Sequence, residues 1–181
     1  LHLSIISFII RRGDRFLGMN RLSAIAIVVV VVVALAGVAL YYHYSYGTVD
    51  VYVQGDPSFA VYITVSSVML HSESGGWITL SNSSTTVQLT NSPQLLASST
   101  IPAGNYTELR MIISSAEVTI GPINVTTSVP SGVLKVPIIK GGLHVAGGST
   151  AKLELLIGPH VVSTGNGQYM LSPVVTAEQI S

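Results

Sequence analysis

The sequence predicts an all-β outer domain of sandwich type, preceded by one membrane-length helix. Three observations carry that prediction. From Leu22 to Leu40 there are 19 consecutive residues without a charge. Beyond Tyr46 the apolar residues fall into a period of two, in short runs separated by Gly, Pro, Ser and Asn clusters. Charged residues make up only 9% of the 181-residue chain, against roughly 25% in ordinary soluble domains, so Ser, Thr, Asn and Gly provide most of the polarity.

The apolar run comes first. At 1.5 Å per residue its helix spans about 28 Å, close to a hydrocarbon core of roughly 30 Å. Its valines do not forbid helix, because lipid offers the backbone no other hydrogen-bond partners. Arg11, Arg12, Arg15 and Arg21 precede it against Asp14 alone, which places the N-terminus in the cytoplasm. Tyr41, Tyr42, Tyr44 and Tyr46 then suit the outer interface. The resulting division is a cytoplasmic lead over 1–21, a transmembrane helix or signal-anchor with an aromatic belt over 22–46, and an extracellular domain over 47–181. Because Leu1 opens the chain and Met19 stands beside the anchor, residues 1–18 read as an over-extended start, with a genuine cytoplasmic tail as the alternative. Two rivals compete for the helix itself. "ALA" at Ala34–Ala36 is similar to a signal-peptide cleavage site. "LSAIAI" resembles the start of an archaeal pilin, although Arg21 stands where pilin processing usually has a small residue.

The outer elements follow in order. "TVDVYVQ" alternates Val49, Val51 and Val53 with polar residues, a strand with one buried face. "GDP" at Gly55–Pro57 is a turn. "FAVYITVSSVML" is rich in β-branched and aromatic residues. "SESGG" leads into "WITL", and "TTVQL" is a short strand. "NSPQLLASS" alone reads as a helical turn outside the membrane. "IPAG", with Pro102 fixing one dihedral and Gly104 free to take positive φ, turns into "NYTELRMII", whose Leu109, Met111 and Ile113 share a face. "AEVTI", "INVTT", "GVLKVP", "LHVAG", "TAKLELLI", "HVVS" and "QYMLSPVVTAEQ" bring the total to about ten strands, the spacing of an immunoglobulin- or transthyretin-like β-sandwich. "TGNG" at Thr164–Gly167 is a hairpin signal. The glycines of "KGGLHVAGGS" do not follow a strand and open a helix, so they are hairpin turns and not a phosphate cradle. Trp77 and Tyr106 are expected to fill the space between two sheets, with the Tyr106 hydroxyl tied back to the preceding turn.

In this order and spacing, "VYITVSSVMLHSESGGWITL", "IPAGNYTELRMIISSAEVTI" and "YMLSPVV" resemble domain of unknown function 4382, a family of exported bacterial and archaeal proteins. The resemblance runs from Thr48 to Gln179. It implies a surface-exposed β-sandwich with no established activity, and it carries no catalytic residues to transfer.

The chemistry is mostly one of exclusions. There is no cysteine, which removes disulfides, thiolate metal sites and a cysteine nucleophile. Beyond Tyr46, Arg110, Lys135, Lys140 and Lys152 face Asp50, Asp56, Glu73, Glu108, Glu117, Glu154 and Glu178, a net charge of −3 that offers nucleic acid no footprint. His43, His71, His144 and His160 lack ligand spacing; His71 is expected to close a strand near Trp77, and His43 to sit among the tyrosines. No G-x-S-x-G elbow, singled-out carboxylate pair or calcium loop is present. The expectation is therefore no enzyme, no cofactor, no metal and no catalytic residue. Three triplets match the N-glycosylation pattern, with expected occupancy in the order Asn82, Asn124, Asn105. Asn82 lies in the polar run "SNSSTT", Asn124 beside the Gly121–Pro122 turn, and Asn105 close to the core. The sequence thus points to a membrane-anchored cell-surface protein that binds surface proteins or glycans, or self-assembles. The alternatives are a filament subunit, pilin-like or donating a strand freed after Ala36, and a secreted domain cleaved near Ala36. A carbohydrate-active or metal-dependent enzyme is the third class.

Overall fold

The computed structural model describes residues 20–181 apart from 56–59, 121–122, 128, 130–131, 159–160, 166–167 and 172. The lead over 1–18, the tip of the "GDP" turn, the Gly121–Pro122 turn, His160 and the Asn166–Gly167 tip lie outside the described residues. The chain forms two compact units, one ending at His43 and one from Tyr44 to Ser181.

The first unit is dominated by helix α1 (Arg21–Ser45). Asn20 caps it: its Oδ1 accepts hydrogen bonds from Ser23 N (2.9 Å) and Ser23 Oγ (2.7 Å), satisfying an amide that the first turn leaves unpaired. The helix is apolar on every side and, apart from the buried Ala24 and half-buried Val28, largely uncovered, with Leu22 78% and Leu35 65% exposed. Only 6% of its apolar window is buried. A core helix of a soluble fold hides its apolar stripe, whereas one apolar all round and uncovered suits lipid. This is one N-terminal apolar helix of membrane-spanning length, compatible with a single-pass anchor or a signal sequence.

The second unit is the predicted β-sandwich. Its strands are β1 (Tyr46–Gly55), β2 (Ala60–Ser72), β3 (Trp77–Ser81), β4 (Thr85–Leu89), β5 (Gln94–Pro102), β6 (Gly104–Ile120), β7 (Ile123–Thr127), β8 (Val133–Pro137), β9 (Leu143–Val145), β10 (Thr150–Gly158), β11 (Val161–Gly165), β12 (Gln168–Leu171) and β13 (Val174–Ile180). The first sheet runs β13–β10–β1–β5, with β1 and β10 parallel and the other pairs antiparallel. The second is built on the long strands β2 and β6; β3 and β4 line the far side of β2, and β7, β8 and β9 the far side of β6. β11 and β12 form a separate hairpin. Val49, Val51 and Val53 of β1 face Ile63 and Leu70 of β2 and Leu109 and Met111 of β6 in one core, all essentially inaccessible. The alternation read from "TVDVYVQ" is the alternation observed.

Three strand readings need correction, each for a register reason. "NSPQLLASS" contains no helical turn; Gln94–Pro102 is β5, paired with β1. Val51 faces Ala97 and Tyr52 faces Leu95, so Leu96 is an extra residue at a bulge. Leu96 and Ala97 are both buried, which erases the period of two in the sequence. "NYTELRMII" and "AEVTI" are one strand, β6. Thr64 faces Ser115 and Val65 faces Ile113, so the bulge at Ser114 leaves two adjacent serines exposed and makes one strand read as two. "QYMLSPVVTAEQ" is two strands in different sheets, β12 and β13. Pro173 stands between them and has no N–H to give to a ladder.

The edges of the second sheet bear on solubility. Its five flanking strands are only three to five residues long. Short, interrupted edges give another chain little to pair with, so this sheet limits edge-to-edge association by shape, whereas the first sheet ends on the longer β5 and β13.

Candidate functional site

At the end of the sandwich where β1 begins, two glycine-containing turns hold the chain entering the domain. Ala103 N donates to Ser45 O (2.8 Å), Gly148 N to Tyr46 O (2.8 Å), and Thr48 N to Ser149 O (2.8 Å). A Cβ on Gly147 would collide with the Tyr44 carbonyl, and one on Gly47 with the Ala146 carbonyl. There is no spacer: α1 ends at Ser45 and β1 starts at Tyr46.

The same end carries a cleft of about 570 Å³ lined by Glu73, Ser74, Ile78, Pro102, Asn105 and Tyr106 among others. Two of its lining residues, Glu73 and Asn105, begin a chain of hydrogen bonds that runs on beyond the cleft. Asn105 Nδ2 donates to Glu73 Oε2 (3.1 Å). Asn105 Oδ1 lies 2.8 Å from His144 Nδ1, so with the amide nitrogen committed to Glu73 the imidazole is assigned as the donor. His144 N donates to Gln179 Oε1 (2.8 Å), and Gln179 Nε2 to His144 O (3.3 Å). The β2–β3 turn, β6, β9 and β13 are thereby tied together. An amide separates the carboxylate from the imidazole. The cleft offers an apolar floor of Ile78, Pro102 and Tyr106 beneath a rim able to hydrogen-bond a small polar group.

Tyr106 is 2% exposed, and its hydroxyl donates to Pro102 O (2.7 Å), as "IPAGNY" suggested. Gly104 has φ 158°, at the extended limit of the positive range. Burial pushes the Tyr106 phenol above its ordinary value of 10.0. The neutral form is therefore favoured in the folded state, so its stabilisation is fully present below the unfolded value near 10 and is lost as pH rises through the higher folded value. Tyr106→Phe should cost about 1 kcal/mol at neutral pH through the lost hydrogen bond. It should also flatten the fall in unfolding midpoint above about pH 10, measurable by denaturation across the alkaline range. An alkaline limb unchanged in Tyr106→Phe would show that another group governs it.

Trp77 departs from expectation. It is half-buried on the outer face of the second sheet, while its strand neighbour Leu80 enters the core. It lies directly opposite His71, with ring centroids 4.9 Å apart at 60°, so the pairing expected of His71 holds. The Arg110 guanidinium lies 3.8 Å from the Trp77 ring centroid. Both positions point outward because strands alternate faces, and Leu109 and Met111 beside Arg110 point inward. Nothing in the sequence signals the Trp77–Arg110 contact, since their strands are separated by β2.

The three sequon asparagines do not come together. Asn82 is exposed between β3 and β4 and accepts a hydrogen bond from Ser67 Oγ (3.1 Å). Asn124 is exposed on β7 and accepts from Thr119 Oγ1 (2.8 Å). Asn105 is also exposed and not close to the core as expected, since it alternates with the buried Tyr106; its amide is engaged at both ends. Among the described residues no three His, Asp or Glu side chains gather as metal ligands would.

A family described as a domain of unknown function (DUF4382) matches residues 46–173. The chain belongs to this family. No curated protein and no solved structure matches the chain. The DUF4382 match opens on the first residue of β1 and closes just before β13. Both the cleft and the Trp77–Arg110 pair therefore fall within the family domain, and the Gln179 end of the hydrogen-bond chain lies outside it.

Proposed function

We propose that this is a non-catalytic, membrane-anchored display domain: α1 stays in the bilayer with the N-terminus inside, and the β-sandwich stands at the cell surface, where it binds or assembles. The observation that carries the reading is the uninterrupted passage from α1 into β1, with the entering backbone held by the domain's own turns. Arginines before the apolar run and tyrosines after it set the direction. Against strand donation stands the place of β1, which is paired on both edges within its own chain by β10 and β5; donating it would mean withdrawing the centre of a sheet. Protease added to intact cells should reach Lys135, Lys140 and Lys152, and the mature protein should retain Met19. Denatured but membrane-sealed samples that stay protected at those lysines would reverse the orientation. A mature start near Leu22 would favour the pilin reading, and one near Gly37 a secreted or released domain.

In a host with N-linked glycosylation, occupancy should follow the order Asn82, Asn124, Asn105. Asn105 comes last because a transferase must first break its bonds to Glu73 and His144. Peptide mass spectrometry of the native protein checks this; an occupied Asn105 beside an unmodified Asn82 contradicts the order.

A further inference from the structure

The outer face of the second sheet carries a charge arrangement that folding alone does not require. Of the four cations beyond Tyr46, Arg110 and Lys135 sit directly opposite each other on β6 and β8. Like charges so placed destabilise a sheet. Among the described residues neither makes an ion pair, and Arg110 Nε is buried with no hydrogen-bond partner. Lys140, by contrast, is paired with Glu178 at 2.6 Å. The Arg110 guanidinium is held against Trp77, 3.8 Å from its centroid, and His71 flanks the ring. A guanidinium stacked in this way is already ordered, and its planar fork matches a carboxylate through two parallel hydrogen bonds.

We propose that Arg110, Lys135 and Trp77 form a binding site for a carboxylate-bearing sugar within an acidic glycan. The carboxylate meets Arg110 and Lys135, and the apolar face of the sugar ring packs on the part of Trp77 that Arg110 and His71 leave open, beside the exposed Thr79. Glu108, two residues from Arg110 on the same face, and the net charge of −3 beyond Tyr46 repel a dense polyanion and favour a ligand with one charge per sugar at most. An extended acidic peptide fits less well. Such peptides add to a free strand edge; here the edge strands β3 and β8 are only five residues long, and Arg110 stands on β6, which is paired on both sides by β2 and β8. The ligand therefore meets side chains and not backbone. The site is independent of whether α1 is kept or cut, so its failure leaves the anchoring proposal untouched.

The chain has one tryptophan, so its emission reports this site alone. Titrating the detergent-solubilised full chain with oligogalacturonate should give a saturable change in emission that weakens as salt is raised. The methyl-esterified oligomer of the same length should leave emission unchanged. Arg110→Lys keeps the charge but loses the fork, and should weaken binding by about tenfold. Lys135→Gln, at an exposed position, should weaken it several-fold, and Lys152→Gln on the other sheet should not. Lys135→Gln carries the test if Arg110→Lys proves misfolded by circular dichroism. No response to oligogalacturonate, equal binding of the esterified oligomer, poly-glutamate binding as tightly as the sugar, or parent-like affinity in Lys135→Gln would each overturn the proposal.

Discussion

Tyr106→Ala should lower the stability of the outer domain by about 3–5 kcal/mol, the range for emptying a large aromatic site in a packed core. Tyr106 is among the largest side chains withdrawn from solvent here. Its ring fills the space beside Leu109 and Leu143 in the same buried cluster, and its hydroxyl closes the turn before β6. Truncation therefore opens a cavity and frees the turn together. Trp77→Ala should cost only about 1–2 kcal/mol, from partial burial and a cation–π contact, because Trp77 packs on the outside of the sheet. Chemical denaturation of the detergent-solubilised full chain, followed by far-ultraviolet circular dichroism, separates the two. Equal losses would mean that the inward and outward faces of β3 have been exchanged.

Gly147→Val should be nearly as damaging, at about 3 kcal/mol. The added Cβ meets the Tyr44 carbonyl and its neighbouring backbone atoms, and backbone cannot swing aside as a side chain would. Relief requires the turn before β10 to move, which would strain the bonds from Gly148 N to Tyr46 O and from Thr48 N to Ser149 O. The loss should appear in the unfolding midpoint and as faster proteolysis near Tyr46. Gly37→Ala is the control: it lies in α1 with nothing within 4 Å of its added Cβ, and alanine is the better helix former. A Gly147→Val protein as stable as the parent would show that the entering chain is not gripped by this turn.

The broken edges of the second sheet change the account of solubility that composition alone invites. With so few charges, a sugar coat looks necessary. The structure provides another guard in the flanking strands of β2 and β6, too short to pair with a second chain at length. Occupied sequons would add hydration on top of this, and their absence would not leave the second sheet's edges unprotected.

How much was legible follows from the range of each interaction. Strand β1 and the membrane-length helix were readable because they depend on periodicity and length, properties of adjacent residues; the glycines of "KGGLHVAGGS" do make turns, but not hairpins, since β8 and β9 both pair with β6 and β10 lies in the other sheet. Tyr106 was readable for the same reason, since its hydroxyl bonds a carbonyl only four residues back. The helical reading of "NSPQLLASS", the split of β6 and the fusion of β12 with β13 went wrong at bulges and at a change of sheet. At a bulge the period of two is broken by the pairing partner, which lies elsewhere in the chain. The candidate sites were the least legible. The link from Glu73 through Asn105 to His144 and Gln179 spans the β2–β3 turn, β6, β9 and β13, and the placement of Arg110 between Trp77 and Lys135 depends on the register of four strands. The sequence by itself determined that this protein has one apolar helix and a charge-poor β-sandwich of the DUF4382 family. Only the tertiary structure decided which polar side chains meet, because a one-residue shift in register sends every side chain of a strand to the opposite face.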